Sequence, residues 1–197
     1  DMELCQLDKV YLHHLANYNR IVVQRNKLLK DLSFRPELKD TLDIWDIQMA
    51  EYGKKIIESR NAFIESLGEI IRGIHEKLSG GKEELTLSYE KHVGAEELYD
   101  AITRSRDRDI RMKTSNVGPH RDDLMFAIGG VDIRKFGSQG QQRTAALSLK
   151  LSEIELVKQV IHDTPVLLLD DVLSELDHNR QNYLLDSIHD IQTLITC

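Results

Sequence analysis

The chain is poor in cysteine and proline, with two and three of these among its 197 residues. Cys5 and Cys197 stand at opposite ends, without the spacing of a zinc site or a disulfide framework, and this usage fits a reducing cytosol. The longest uninterrupted apolar runs cover residues 124–128 and 166–169, far short of the roughly 20 residues that cross a bilayer, and no secretory leader is visible. We therefore expect a cytoplasmic location and no membrane partner.

A nucleotide-binding loop of the form G-x-x-x-x-G-K-[ST] is also missing. Gly81-Lys82 comes nearest, but Glu83 follows the lysine and no glycine stands five positions before Gly81. Such a loop holds phosphates through its backbone amides, its lysine and its hydroxyl. Because this chain alone cannot complete a site of that kind, we expect it to bind ATP weakly or not at all and to lack ATPase activity.

The formal net charge of −7 excludes the overall basic surface that drives nonspecific nucleic-acid binding. One local basic cluster ends a predicted helix, interleaved with Asp107 and Asp109; it comprises Arg104, Arg106, Arg108, Arg111 and Lys113. Two interpretations remain open. The cluster is either a solvated face whose charges pair with one another, which is usual for runs of mixed sign, or a patch that contacts DNA phosphates.

Helical periodicity covers the first part of the chain. Apolar residues recur three, four or seven apart from about residue 9 to 31 and again from about 37 to 79, with Pro36 between them, which predicts two long antiparallel helices. Four residues form the predicted packing stripe of the first helix: Leu12, Leu15, Val22 and Leu29. At the end of the second helix, Leu78-Ser79-Gly80-Gly81 is similar to a signature sequence of ATPases. We interpret its glycines instead as the C-terminal cap of that helix.

The rest of the chain alternates strands and helices. Strands are predicted at 85–89, 124–128, 166–170 and 193–196, and helices at about 95–109, at 144–161 and ending near 188. The pattern favours an α/β lobe, residues 111–197, preceded by a mostly helical arm domain, residues 1–110. Near the start of the lobe, His120 stands beside Asp122 and Asp123, too few ligands for a metal site; a structural turn or a phosphate-facing loop fits better.

Two segments of the lobe carry the chemistry. Residues 136–144, F-G-S-Q-G-Q-Q-R-T, place Ser138 at a helix start, where its hydroxyl and the first-turn N–H groups can meet an anion such as a terminal phosphate. Residues 165–171, P-V-L-L-L-D-D, predict a buried strand that delivers Asp170 and Asp171 to its C-terminal end, where ligands of α/β sheets gather. One carboxylate can hold Mg²⁺ and the other a water.

In this order, the two segments and S-E-L-D at 174–177 resemble the signature, Walker B and D-loop sequences of ABC-type ATPases. The chain resembles the RecF family of bacterial recombination and repair proteins in the particular forms G-S-Q-G-Q-Q-R-T and L-L-L-D-D-V-L-S-E-L-D. Residues 117–124 and 24–30 also resemble segments of that family. The resemblance implies an α/β fold, part of an ABC-type ATPase head, with an inserted helical-hairpin arm. Because family members carry a phosphate loop near their N-terminus, it also implies an internal or C-terminal part of a longer protein.

The resemblance assigns roles to individual residues. Asp170 is the implied Mg²⁺ ligand, and Asp171 is the implied catalytic residue that polarises the attacking water. Many relatives have glutamate there, so the shorter Asp171 side chain implies slow hydrolysis. The implied ATP-binding residues, in a site that two subunits share, are Ser138, Gln139, Gly140, Gln141, Ser174 and Asp177.

The implied function is that of an ATP-gated DNA clamp. Such a protein binds single-strand/double-strand DNA junctions as an ATP-dependent homodimer and acts with RecR and RecO to help load RecA. The first alternative is another SMC-like ABC ATPase head, although SMC coiled coils run for hundreds of residues and this predicted hairpin closes within about seventy. The second is a non-catalytic interaction module, which would show no response to nucleotide.

Overall fold

The structure, a computed structural model, describes residues 1–170, 173 and 176–196, with Asn179 described by its backbone only. Within these residues the helices are α1 (Met2–Leu7), α2 (Lys9–Asp31), α3 (Leu42–Ser79), α4 (Leu98–Met112), α5 (Ile133–Phe136), α6 (Gln139–Ile161) and α7 (His178–Ser187). The strands are β1 (Leu85–Glu90), β2 (Asp123–Ile128), β3 (Val131–Asp132), β4 (Leu167–Asp170) and β5 (Thr193–Thr196). No helix among the described residues is long and apolar enough to cross a membrane.

The chain folds as two compact units that alternate along the sequence. The first comprises residues 1–63 and 89–124, and the second residues 64–88 and 125–197. Both units are therefore built from separate stretches of sequence. The division between an arm and a lobe at residue 110 remains a prediction.

Helices α2 and the first part of α3 form an antiparallel pair in the first unit. Arg25, late in α2, donates to Asp46, early in α3. Tyr11, early in α2, accepts from Arg60, further along α3, so the two helices run in opposite directions. The predicted bounds of α2 are confirmed. The second helix begins later than predicted, since a 3₁₀ turn from Pro36 to Thr41 precedes α3.

The packing stripe of α2 differs from the predicted one. Tyr11, Tyr18 and Ile21 are buried in the first unit's main apolar cluster, whereas Leu12 is 47% exposed. The helical period was predicted correctly, but its phase was wrong near the start of α2. Tyrosine and arginine side chains occupy positions in the core because partners for their polar ends lie within reach.

The G-P-H turn after α4 is a structural element of the first unit. Gly118 has a φ of 137°, and a Cβ added there would collide with the Tyr18 hydroxyl, so only glycine fits. His120 Nδ1 lies 2.7 Å from that hydroxyl, and Asp122 accepts from the Tyr89 hydroxyl and the His92 N–H. These contacts favour the structural interpretation of the turn.

The second unit holds the α/β part of the chain. Strands β1, β2 and β3 form one sheet in that order, and β2 joins antiparallel β3 through Gly129 and Gly130, whose φ angles of 56° and 79° suit a tight hairpin turn. Strands β4 and β5 are parallel, with Leu167 opposite Thr193 and Asp170 opposite Thr196. Helix α7 connects them, so this part is a βαβ segment.

Helix α6 and the part of α3 from residue 64 onward also belong to the second unit. The predicted glycine cap is confirmed, because the Gly81 N–H donates to the Glu76 carbonyl at 2.7 Å with positive φ at Gly80 and Gly81. Helix α6 buries Leu147, Leu151 and Leu156. The end of this helix is more exposed, since Val160 is 52% exposed.

Candidate functional site

Ser138 begins the helix that carries the signature-like sequence. Its Oγ accepts from the Gln141 N–H at 3.2 Å, and the Ser138 N–H donates to Gln141 Oε1 at 2.9 Å. This reciprocal pair is a capping box, which arises because serine is followed three positions later by glutamine. The predicted role of Ser138 as the residue that opens the helix is confirmed.

The start of α6 is accessible to a ligand. Ser138, Gln139 and Gly140 are all exposed, and the first-turn N–H groups give this end of the helix a partial positive charge. Apart from its chain neighbours and the nearby backbone of its own helix, the closest described atom to a Cβ added at Gly140 would be Ser138 Oγ, at 3.9 Å. Because the Ser138 oxygen accepts within the cap, its hydroxyl hydrogen is available to donate to an anion.

Asp170 ends strand β4, as the sequence predicted, and its side chain is exposed. The predicted burial of the strand is wrong at Leu168, which is 70% exposed. The Thr196 hydroxyl, at the end of the neighbouring strand, donates to Asp170 Oδ1. Within the described part of the chain no three His, Cys, Asp or Glu residues group closely enough to enclose a metal. One accessible carboxylate nevertheless fits Mg²⁺, which proteins commonly hold by one or two carboxylates while phosphates and waters supply the other oxygens.

The acidic segment contains three further predicted site residues. Asp171, the predicted catalytic residue, and Ser174 lie outside the described residues. Asp177 is described and caps helix α7, because its Oδ1 accepts from the Arg180 N–H at 3.0 Å. Its second oxygen pairs with the Arg180 side chain, also at 3.0 Å. A contact of Asp177 with ATP therefore remains a prediction beside this observed capping role.

The basic cluster on α4 divides into two kinds of residue. Arg106 donates to Asp43 and to buried Asp46, both on α3, so it supports the fold of the first unit. Arg104, Arg108, Arg111 and Lys113 are exposed. These four retain the predicted possibility of contacting DNA phosphates, whereas the contacts of Arg106 favour an ion-pairing role.

Sequence reasoning missed two residues that contact the signature segment or its helix. Gln141 Nε2 donates to Glu83 Oε1 at 2.9 Å, and His75 Nδ1 lies 2.9 Å from Ser148 Oγ on α6. His75 is fully buried, and burial lowers the pKa of its imidazole. A histidine within an apolar helical stripe was the available signal, but nothing in the sequence near His75 indicates its distant partners.

Comparisons with known proteins agree with this arrangement. Proteins described as "DNA replication and repair protein RecF" from Agathobacter rectalis and Lachnoclostridium phytofermentans are 59% and 60% identical to the chain over 197 residues. These matches cover all of this chain but only 54% and 55% of the relatives, so the chain spans about half of their length. No protein-family model matches it.

Solved structures give the same result. The structure described as the recombination mediator protein RecF-ATPrS in the RecFOR pathway matches with a TM-score of 0.88 at 39% identity. It covers 97% of this chain, which spans 54% of that one. The corresponding RecF-ATP structure also has a TM-score of 0.88, at 38% identity over 99% of this chain.

The capped signature helix and the acidic strand of a βαβ segment define the chain as part of an ABC-type ATPase head. The structural similarity supports the same class. The chain belongs to the RecF family.

Proposed function

We propose that this chain supplies the signature helix and the acidic strand of an ATP site in a RecF-type DNA replication and repair protein. The observation that carries the proposal is the exposed start of α6, where Ser138 keeps a hydroxyl hydrogen for an anion beside the first-turn amides. The names of the relatives and the RecF-ATP structure support the biological role and the nucleotide.

The proposed site is shared between two subunits. Ser138 donates to the γ-phosphate of an ATP that the other subunit holds, and Gly140 leaves room for the phosphate to approach the helix. Asp170 provides a carboxylate that would be a ligand of Mg²⁺, and Asp171 orients the attacking water. A bound Mg²⁺ would neutralise phosphate charge there. Because the aspartate side chain at 171 is short, hydrolysis is slow and ATP acts mainly as a switch for dimerisation.

The remainder of the proposal concerns the whole protein. A longer RecF-type chain supplies the phosphate loop that this sequence lacks, and its ATP-dependent homodimer forms a clamp on DNA at junctions of single and double strands. RecR and RecO are its partners in loading RecA, an assignment that rests on family resemblance and on the RecFOR pathway named for the similar structures. The exposed basic residues of α4 are candidates for the DNA contacts.

Sedimentation of the full-length protein tests the proposal. With Mg²⁺ and a non-hydrolysable ATP analogue it should form dimers, and with ADP it should remain monomeric. Isothermal titration of the 197-residue chain alone should detect no tight ATP binding, because the phosphate-loop lysine and amides are absent. A full-length protein that binds ATP but never dimerises would contradict the shared site, and micromolar ATP binding with turnover by this chain alone would require a different nucleotide site.

A further inference from the structure

A row of polar contacts in the second unit leads from Ser138 to a buried histidine on α3. Gln141 Oε1 accepts from the Ser138 N–H, and Gln141 Nε2 donates to Glu83 Oε1, each at 2.9 Å. The other Glu83 oxygen lies 3.5 Å from His75 Nε2. Glu83, in the segment after α3, is therefore placed between the signature segment and a side chain of the helix that precedes it.

Glu83 determines which way the Gln141 amide faces. A carboxylate accepts hydrogen bonds but does not donate them, so only the NH₂ group of Gln141 can face it. The amide oxygen is then turned toward the Ser138 N–H and closes the capping box. Without Glu83, the amide can rotate by half a turn, which would direct NH₂ at the Ser138 N–H and open that half of the box.

His75 lies on the buried side of the Glu83 carboxylate. Its ring is fully buried, and burial lowers its pKa, so the imidazole is neutral near pH 7 and carries one hydrogen. Its Nε2 lies 3.5 Å from a Glu83 carboxylate oxygen, a distance too long for a hydrogen bond.

The same histidine is joined to α6 itself. The Ser148 hydroxyl donates its one hydrogen to the Thr144 carbonyl, so the ring hydrogen of His75 lies on Nδ1 and is donated to Ser148 Oγ at 2.9 Å. Ser148 Oγ is also within 2.8 Å of the Thr144 carbonyl, and the Thr144 hydroxyl donates to the Gly140 carbonyl at 2.7 Å. Helix α6 is thus held at Gln141 and at Ser148 by neighbouring groups of α3 and the segment that follows it.

We propose that Glu83 is a positioning residue for the signature serine, acting through the Gln141 amide. The inference rests on the proposed role of Ser138 in a shared ATP site. Glu83 itself does not contact the nucleotide. Its effect is to hold the Ser138 N–H within the cap and the Ser138 hydroxyl in a fixed direction before the phosphate arrives, which removes an ordering cost from ATP-dependent dimerisation.

The chain offers a matched set of variants. Glu83→Ala removes the acceptor, whereas Glu83→Gln keeps an oxygen for Gln141 and offers an N–H to His75. Glu84→Ala is the control, because Glu84 is the adjacent residue of the same type, is 70% exposed and pairs only at 3.7 Å with Arg72. Gln141→Ala removes the side chain through which Glu83 is proposed to act.

Two measurements on the full-length protein test the proposal. In Glu83→Ala, the Ser138 backbone amide should exchange its hydrogen about tenfold faster, as expected when a hydrogen bond supported by a charged group is removed. The association constant for dimerisation with an ATP analogue should fall by about tenfold, while monomer ATP affinity stays unchanged. Glu83→Gln should restore both within about twofold, and Glu84→Ala should change neither.

The double variant distinguishes positioning from general destabilisation. In a Gln141→Ala background, Glu83→Ala should cause no further loss of dimerisation, since the two side chains act in sequence. Unchanged Ser138 exchange in Glu83→Ala, or an equal loss in both backgrounds, would overturn the inference. If Ser138 exchange rises as expected but the unmodified protein does not dimerise with ATP, the positioning role stands and the proposed function fails.

Discussion

Arg25 Nη1 lies 2.7 Å from Asp109 Oδ2, and both side chains are buried, with relative exposures of 0% and 1%. The pair is part of a larger charged cluster in the first unit. Arg25 Nε also donates to buried Asp46, and Asp109 Oδ1 accepts from the backbone and side chain of Asn116. These bonds connect α2, α3 and α4. Arg25 belongs to residues 24–30, one of the segments that resemble the RecF family, so that segment contributes to the fold.

Replacing Arg25 should therefore destabilise the protein strongly. Arg25→Met keeps an apolar stem but leaves Asp109 without its buried cation, a change that typically costs about 3–5 kcal/mol of unfolding free energy. Urea unfolding followed by circular dichroism measures the effect, with Arg20→Met as an exposed control that should change it by less than about 0.5 kcal/mol. A loss below about 1 kcal/mol for Arg25→Met would show that the cluster contributes little to stability.

Ser138→Arg in the full-length protein should abolish ATP-dependent dimerisation and leave ATP binding by each monomer nearly intact. The proposed site holds ATP through one subunit's own phosphate loop, whereas Ser138 reaches only the other subunit's γ-phosphate. An arginine side chain would occupy the closed seam despite its favourable charge. Sedimentation reports dimerisation and fluorescent-nucleotide titration reports monomer binding, with exposed Ser33→Arg as the control. Persistent ATP-dependent dimers in Ser138→Arg would remove the support for the clamp.

The two neighbouring aspartates should respond differently to the loss of charge. Asp170→Asn is expected to weaken the Mg²⁺ dependence of ATP binding, because it removes a carboxylate ligand. Asp171→Asn should retain ATP and Mg²⁺ but slow hydrolysis at least about tenfold, the lower end of the loss expected when a water-orienting base is removed, and so prolong the dimer. Steady-state ATPase assays over a Mg²⁺ titration separate the two, with exposed Asp163→Asn as control. Parental hydrolysis by both variants would argue against a catalytic strand.

The exposed basic residues of α4 should matter for DNA, whereas Arg106 should matter for folding. Alanine at Arg104, Arg108 and Arg111 together should weaken DNA binding across sequences and reduce the salt dependence of log K by about 0.9 for each phosphate that is no longer neutralised. Arg106→Ala should instead lower stability, since it removes the partner of Asp43 and Asp46. Fluorescence anisotropy at several salt concentrations measures DNA binding by the variants. An unchanged dependence of log K on salt would show that the cluster is a solvated face and does not contact DNA.

Acid should destabilise the protein partly through His75. Burial lowers its pKa below the ordinary 6.5, although nearby Glu83 opposes the shift. Near pH 6 the unfolded state therefore binds more protons at His75 than the folded state does. The contribution of His75 to the free energy of unfolding is full above pH 6.5 and falls as the pH drops. His75→Gln should flatten this decline by at most about 1.4 kcal/mol per pH unit.

Urea unfolding at about pH 7.5 and 5.5 measures that slope, with His189→Gln as an exposed control. A residual slope is expected in the variant, because the pKa values of His14 and His120 are also lowered, chiefly by burial. An identical slope in the parent and in His75→Gln would mean that His75 does not contribute.

Much of the candidate site was predictable because its chemistry is local. Serine with glutamine three positions later is sufficient to cap α6, and a short apolar run ending in aspartate is sufficient to form β4 and expose Asp170 at its end. The family resemblance likewise depends on contiguous motifs, and the comparisons confirm it. Roles for Asp171 and Ser174, which lie outside the described residues, stay predictions.

What the sequence alone determined was thus the repeating periods, the caps and the ordered motifs, since each depends on residues a few positions apart. Only the tertiary structure decided which polar residues lie inside. Glu83 and Gln141 are 58 positions apart, and His75 and Ser148 are 73 apart, so no local pattern pairs them. A charged or hydroxyl side chain in a helix is expected to face solvent unless a distant partner offsets its desolvation, and that partner exists only once the helices have packed.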